Sequence, residues 1–149
     1  LNDNKFEKIP IFPYSVKYNS AFYGPFREAA KSSPNFGDRK TYQMNFKNSE
    51  EAINEVRLDI NEGADVVIIK PAISYLDIIY RIKQKFNVPI IAYNVSGEYT
   101  MVESASSNNF INRIETILEI LHSIKRSGAN AIISYHALEV AKYLKANDL

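Results

Sequence analysis

The sequence predicts an α/β fold in which parallel strands alternate with helices. Short β-branched runs such as Ala64-Asp65-Val66-Val67-Ile68-Ile69-Lys70-Pro71 recur along the chain, and a segment of helical period follows each of them. The 149 residues are 46% hydrophobic, so a single domain of this size can bury a core.

The first strand is expected within Ile9 to Lys17, where Pro10 and Pro13 confine its start to an edge or an irregular lead-in and leave Tyr14 to Lys17 as the regular part. From Asn19 to Lys47 the chain is rich in Gly, Pro, Ser, Asn and aromatic residues and reads as a long loop, which in a compact domain is functional or disordered. A helix follows, capped by Asn48 or Ser49, with Glu50 and Glu51 at the positive end of its dipole and Gly63 at its close. Ile53, Val56, Leu58 and Ile60 supply its apolar side. Ala64 to Pro71 is the second strand, too brief and too β-branched for a helix and stopped by proline.

Ser74 is expected to cap a helix running through Ile78, Ile79 and Ile82 to about Phe86, and Val88 to Tyr93 to form the third strand. A loop around Ser96-Gly97-Glu98, equally readable as a turn or an anion nest, leads into a short helix from Met101 to Ser107. Ile114, Ile117, Leu118, Leu121 and Ile124 mark a stronger helix over Ile111 to Ser127, ended by Gly128. Asn130 to Tyr135 is the fourth strand and Leu138 to Lys145 the closing helix. Four βα units result, without linker or repeat. A (β/α)8 barrel needs eight units and about 250 residues, so an open four-stranded sheet and half of a barrel fit the length equally.

Composition excludes several function classes. Eighteen basic against seventeen acidic residues give a formal charge of +1, which provides no field for nucleic acid or a membrane surface. Cysteine is absent, so neither a disulfide framework nor thiol or Cys-zinc chemistry comes from these residues. His122 and His136 are too few for a His-rich metal site; His122 falls mid-helix, whereas His136 follows a strand end and could face a site. With no long apolar run and no secretory signal at Leu1 to Lys5, a soluble intracellular protein is expected, its compartment, cytoplasm or plastid, left open.

In parallel α/β folds the chemistry gathers at the carboxyl ends of the strands. Two of the four end in lysine, Lys17 and Lys70. An amine held among apolar walls or beside another cation is partly neutral near pH 7, the condition for attack on a ketone and Schiff-base formation; the plainer alternative is an ammonium reaching solvent at the strand tip. Tyr93 and Tyr135 end the other strands, and nearby loops supply Ser96, Arg27 and Arg39. Paired arginines suit a carboxylate and hydroxyl pairs a second acidic group, against ordinary surface charge and core packing as the alternatives.

Four motifs are longer than such spacing arguments require. Tyr14-Ser15-Val16-Lys17-Tyr18-Asn19-Ser20-Ala21-Phe22-Tyr23-Gly24-Pro25-Phe26-Arg27, Phe36-Gly37-Asp38-Arg39-Lys40-Thr41-Tyr42-Gln43-Met44, Val67-Ile68-Ile69-Lys70-Pro71-Ala72 and Tyr93-Asn94-Val95-Ser96-Gly97-Glu98-Tyr99 resemble, in order, the porphobilinogen synthase (5-aminolevulinate dehydratase) family. The likeness covers nearly the whole chain from about Ile9 and implies the second, carboxy-terminal half of a (β/α)8 TIM barrel.

By that resemblance Lys70 forms a Schiff base with the substrate that becomes the propionate side of the product, and Lys17 engages the acetate-side substrate. Arg27, Arg39 and Gln43 would bind the acetate-side carboxylate, and Ser96 and Tyr135 the propionate-side one. Tyr23, Phe26 and Tyr93 would wall the pocket, and a lid over about residues 32–48 would close it. The implied reaction condenses two 5-aminolevulinates to porphobilinogen with loss of two waters, in tetrapyrrole synthesis. The resemblance also implies a regulatory magnesium at Glu55 and a homo-octamer. A complementary amino-terminal half-barrel would hold the catalytic zinc or magnesium. Two other readings stand beside it: a non-catalytic truncated fragment, and an aldolase-type Schiff-base lyase, against which the second lysine and Phe36-Gly37-Asp38-Arg39 argue.

Overall fold

The structure is a computed structural model that describes residues 6, 8–31 and 43–148. Four parallel strands, β1 (Val16–Lys17), β2 (Val67–Lys70), β3 (Ile90–Asn94) and β4 (Ala131–Ser134), lie in the order β1-β2-β3-β4. The helices are α1 (Gly24–Ala29), α2 (Glu50–Asn61), α3 (Leu76–Lys85), α4 (Ser96–Ser107), α5 (Arg113–Arg126) and α6 (Ala137–Ala146). Sequential parallel neighbours, each joined through helices, are the arrangement of half of a (β/α)8 barrel.

Register sorts the side chains. Val16 pairs with Ile69, Lys17 with Lys70, Ile69 with Ala92 and Tyr93 with Ile133. Val16, Val67, Ile69, Ile90 and Ala92 face the helices and join Ile53, Val56, Ile78, Ile79, Ile82 and Ile124 in the main core. Each fully buried aliphatic side chain there contributes about 1.5–3 kcal/mol relative to exposure. A smaller cluster, Val102, Ile117 and Val140, joins α4, α5 and α6. Residues of the opposite parity line the other face of the sheet, where Ala131 and Ile133 are exposed. Continuing the β2–β3 register by one residue puts Lys17, Lys70, Tyr93 and Ile133 in a single layer at the carboxyl rim.

The expected elements are all present, with informative differences. β1 shortens to two residues because Pro10 and Pro13 lack an N–H; the lead-in pairs through carbonyls instead, Pro13 accepting from Ile68 (3.0 Å) and Ile11 from Asp65 (3.1 Å). The expected loop from Asn19 contains a 3-10 turn (Ala21–Tyr23) capped by Ser20 and then α1, with Pro25 in its first turn, where a missing N–H costs nothing. Asn48 does cap α2, its side chain accepting from Glu50 and Glu51, while Gly63 (φ 98°) follows its end. Leu58, expected on the apolar side, is 52% exposed; Ala52 is buried with Ile53 and Val56 in its stead. Ser74 is not a cap but lies within a 3-10 turn (Ile73–Tyr75) that precedes α3.

The largest difference falls at Ser96-Gly97-Glu98. This is no loop: it is the first turn of α4, which extends the expected Met101–Ser107 helix by five residues. Gly97 is needed there because an added Cβ would lie 2.5 Å from the Phe22 carbonyl oxygen. Of the expected lid, residues 32–42 lie outside the described residues. Its end returns beside β1, where Met44 forms a parallel bridge with Tyr18. No helix among the described residues is long and apolar enough to cross a membrane.

Candidate active site at the carboxyl rim

Lys70 closes β2 beneath three aromatic rings. Its Nζ lies 4.4 Å from the ring centroid of Tyr14, 4.6 Å from Tyr93 and 5.5 Å from Tyr23. Such faces attract a cation and also form apolar walls around the amine. The Lys70 carbonyl accepts from the Tyr23 hydroxyl (3.1 Å) and the Tyr18 amide (3.2 Å), which fixes the backbone bearing the amine. Phe26, Val95, Ser96 and Tyr135 complete a pocket of about 110 Å³ around these residues.

Burial, and then the nearby Tyr135 phenol, raise Tyr93 above the ordinary tyrosine value, and burial raises Tyr23 further. Both phenols are therefore neutral donors at pH 7.

Six of the predicted residues thus meet in one pocket: Lys70, Tyr23, Phe26, Tyr93, Ser96 and Tyr135. The Ser96 hydroxyl already has work there, accepting from the Phe26 amide (3.1 Å) and contacting the Phe22 carbonyl (3.4 Å), so it moors α1 to α4. Lys17 and Gln43 line an adjoining cleft of about 270 Å³ with Tyr14, Ser15, Glu51 and Glu55. The Gln43 amide oxygen and nitrogen and the Ser15 hydroxyl are buried without a hydrogen-bond partner among the described residues. The Arg27 guanidinium stands over the Tyr23 ring, 5.4 Å from its centroid, and lines a separate cavity with Asn19, Ser20 and Tyr75. Its Nε and Nη2 are buried and likewise lack a partner among the described residues, an arrangement that suits an incoming anion. Arg39 lies outside the described residues.

His136 does not face this pocket. It is 4% exposed, hydrogen-bonds Glu103 through Nε2 (2.8 Å) and packs on Tyr99. Glu55 is exposed on α2, and no group of three or more His, Cys, Asp or Glu among the described residues is placed to hold a metal ion.

Two participants were not singled out from the sequence. Tyr14 touches both the Lys70 pocket and the Lys17 cleft; its place in the irregular lead-in gave no periodic signal. Glu98 is fully buried, and its carboxylate accepts from Ala72 (3.0 Å), Ile73 (2.6 Å), Val95 (2.7 Å) and the Asn94 side chain (3.2 Å). Burial pushes this carboxyl above the usual carboxylate range, and the four donors pull it back. Its one sequence signal was a glutamate shortly after a strand end; it stands three residues after the N-cap Val95, the acidic half of a helix-capping box.

Comparison with known proteins settles the lineage of this arrangement. A family model described as delta-aminolevulinic acid dehydratase matches residues 1–143. The chain belongs to the delta-aminolevulinic acid dehydratase family. It is 57% identical over 145 residues to the delta-aminolevulinic acid dehydratase of Synechocystis sp., covering 97% of this chain and 44% of that protein. The Bacillus subtilis dehydratase is 55% identical over 144 residues, again 97% of this chain and 44% of the relative. A crystal structure of the Toxoplasma gondii ME49 dehydratase in complex with the reaction product porphobilinogen superposes with a TM-score of 0.93 at 44% identity. That match covers 96% of this chain and 41% of that one. The chain therefore spans less than half the length of the relatives it matches, and its four βα units correspond to half of the family's barrel.

Proposed function

We propose that this chain carries the two substrate-activating amines of a porphobilinogen synthase, the lyase that condenses two 5-aminolevulinates with loss of two waters. The observation that carries this reading is the layer in which Lys17 and Lys70 stand side by side at the carboxyl rim. Two identical keto acids need two amines, and neighbouring strands hold them within reach of one another.

Lys70 Nζ attacks one substrate ketone and the carbonyl oxygen leaves as water, giving the Schiff base of the propionate-side molecule. The Tyr135 and Ser96 hydroxyls would bind that molecule's carboxylate, and Tyr14, Tyr23, Phe26 and Tyr93 wall the pocket around the amine. Lys17 would engage the second substrate, whose carboxylate is assigned to Gln43 in the same cleft and, by the family resemblance, to Arg27 and Arg39, of which Arg27 lines a separate cavity here and Arg39 lies outside the described residues. Holding both substrates on one rim turns a bimolecular condensation into an effectively intramolecular one.

Catalytic zinc or magnesium would come from residues beyond this cysteine-free chain. A regulatory magnesium at Glu55 would need donors other than the described carboxylates, and no step is routed through either ion.

Trapping tests the amines. Borohydride reduction in the presence of 5-aminolevulinate is expected to leave a stable adduct at Lys70, read by peptide mass spectrometry. A folded chain that gives no adduct there refutes the role. Exposed Ile133 and Tyr135 on the inner sheet face favour turnover only with a complementary half-barrel, in the family's oligomer. A porphobilinogen colour assay on the chain alone, and mixed with an amino-terminal half, distinguishes this from an inert fragment: no product from either folded mixture supports the latter.

A further inference from the structure

Glu98 is more than the cap of its own helix. A capping glutamate needs one bond, to the amide at the start of its helix, here Val95. The other carboxylate oxygen reaches across the sheet rim to two backbone amides 26 and 25 residues away, Ala72 and Ile73, which follow Lys70 on the exit from β2. The polar chain then continues: Asn94 donates to Glu98, accepts from the Ser134 hydroxyl (3.0 Å), and Ser134 accepts from the His136 amide (3.2 Å). One buried carboxylate thereby ties together the ends of β2, β3 and β4, the strands that present Lys70, Tyr93 and Tyr135. Gly97 and Ser96 add the loop after β1, through the close approach of Phe22 and the bond from Phe26.

We propose that Glu98 is a positioning residue for the Lys70 amine, acting through the Ala72 and Ile73 amides and, by way of Asn94 and Ser134, on the rest of the rim. The proposal rests on the assignment of Lys70 as the Schiff-base amine. Glutamine in its place keeps the size but offers one acceptor and one donor group to four donors, so part of the junction must open. Aspartate keeps the charge and both acceptor oxygens on a shorter arm. Since Lys17 reaches the rim from β1, whose end Glu98 does not bond, the two lysines should respond differently.

The test compares wild type, Glu98→Gln and Glu98→Asp by borohydride trapping. Adducts at Lys70 and Lys17 are counted separately, with 5-aminolevulinate and in parallel with acetaldehyde as a simple carbonyl probe. Backbone hydrogen exchange is followed at Ala72 and Ile73. For Glu98→Gln the Lys70 adduct should form about tenfold more slowly relative to the Lys17 adduct. The two amides should lose protection, and Glu98→Asp, with both acceptor oxygens on a shorter arm, should recover only part of both effects and leave the Lys70 to Lys17 ratio below wild type. A folded Glu98→Gln protein with the wild-type ratio and wild-type exchange overturns the proposal, as does an equal fall at both lysines, which a general loss of stability would produce. If Glu98→Gln does not fold, the Lys70 to Lys17 ratio in Glu98→Asp decides: a ratio below wild type supports the role and an unchanged one overturns it. Wild type that traps acetaldehyde at Lys70 but never 5-aminolevulinate refutes the substrate assignment and leaves the positioning role to be judged on the acetaldehyde ratio. If the folded wild type traps neither probe at Lys70, the amine assignment fails and the positioning role is overturned with it.

Discussion

Lys17 and Lys70 are direct register partners on adjacent parallel strands, so their backbones run about one strand spacing apart, roughly 4.8 Å, with both side chains on the same face. A short amine-to-amine cross-linker should therefore join the peptides bearing these two lysines in preference to pairs involving the helix lysines. Peptide mass spectrometry after digestion reads the result, and a folded chain that never yields the Lys17–Lys70 pair contradicts the register.

Gly97 sits where α4 meets the turn before α1, with the Phe22 backbone occupying the space of a Cβ. Gly97→Ala should cost about 1–3 kcal/mol, the usual range for overpacking against atoms that cannot yield. It should also loosen the Ser96–Phe26 bond. Chemical denaturation measures the first effect, and exchange of the Phe26 amide the second.

The main core depends on α3, whose Ile79 and Ile82 are fully buried against the sheet. Ile79→Ala removes three carbons from a close-packed site and should destabilise by about 2–5 kcal/mol. Leu58→Ala, on the exposed side of α2, should change stability by no more than about 0.5 kcal/mol. The contrast between the two melts checks where the core lies.

Arg113 at the start of α5 bonds Glu103 on α4 and Glu139 on α6. It holds both carboxyls below their ordinary value of 4.5. A depressed folded-state value means that the stabilisation is present above pH 4.5 and is lost as the pH falls through the folded value. These side chains are partly exposed, so each pair contributes under about 1 kcal/mol. Arg113→Ala should lower the melting temperature slightly at neutral pH and flatten its decline in acid. A decline identical to wild type would exclude the clamp.

Much of the architecture was legible in order and kind. The β-branched runs ending at Lys70 and Tyr93 read as strands because a buried parallel strand is apolar on both faces. The helix stops at Gly63 and Gly128 read correctly because both adopt positive φ, 98° and 119°, where glycine is favoured. The turn at Ser96-Gly97-Glu98 was misread as a loop, since small and polar residues there serve contacts with Phe22, Phe26, Ala72 and Ile73 that lie far away in sequence. α1 was hidden for a similar reason: six residues beginning Gly-Pro carry too little periodicity to announce a helix.

Residue type and order along the chain were enough to specify alternating βα units, a lysine closing β1 and β2 and a tyrosine within one residue of the ends of β3 and β4, and the family's motifs, because periodicity and punctuation are local properties. Strand register, by contrast, is a relation between segments about fifty residues apart, and it is register that sets Lys17 beside Lys70. Burial is equally a property of the assembled rim: it turns Glu98 from a helix cap into the junction of three strand ends, and it points His136 toward Glu103 rather than into the pocket.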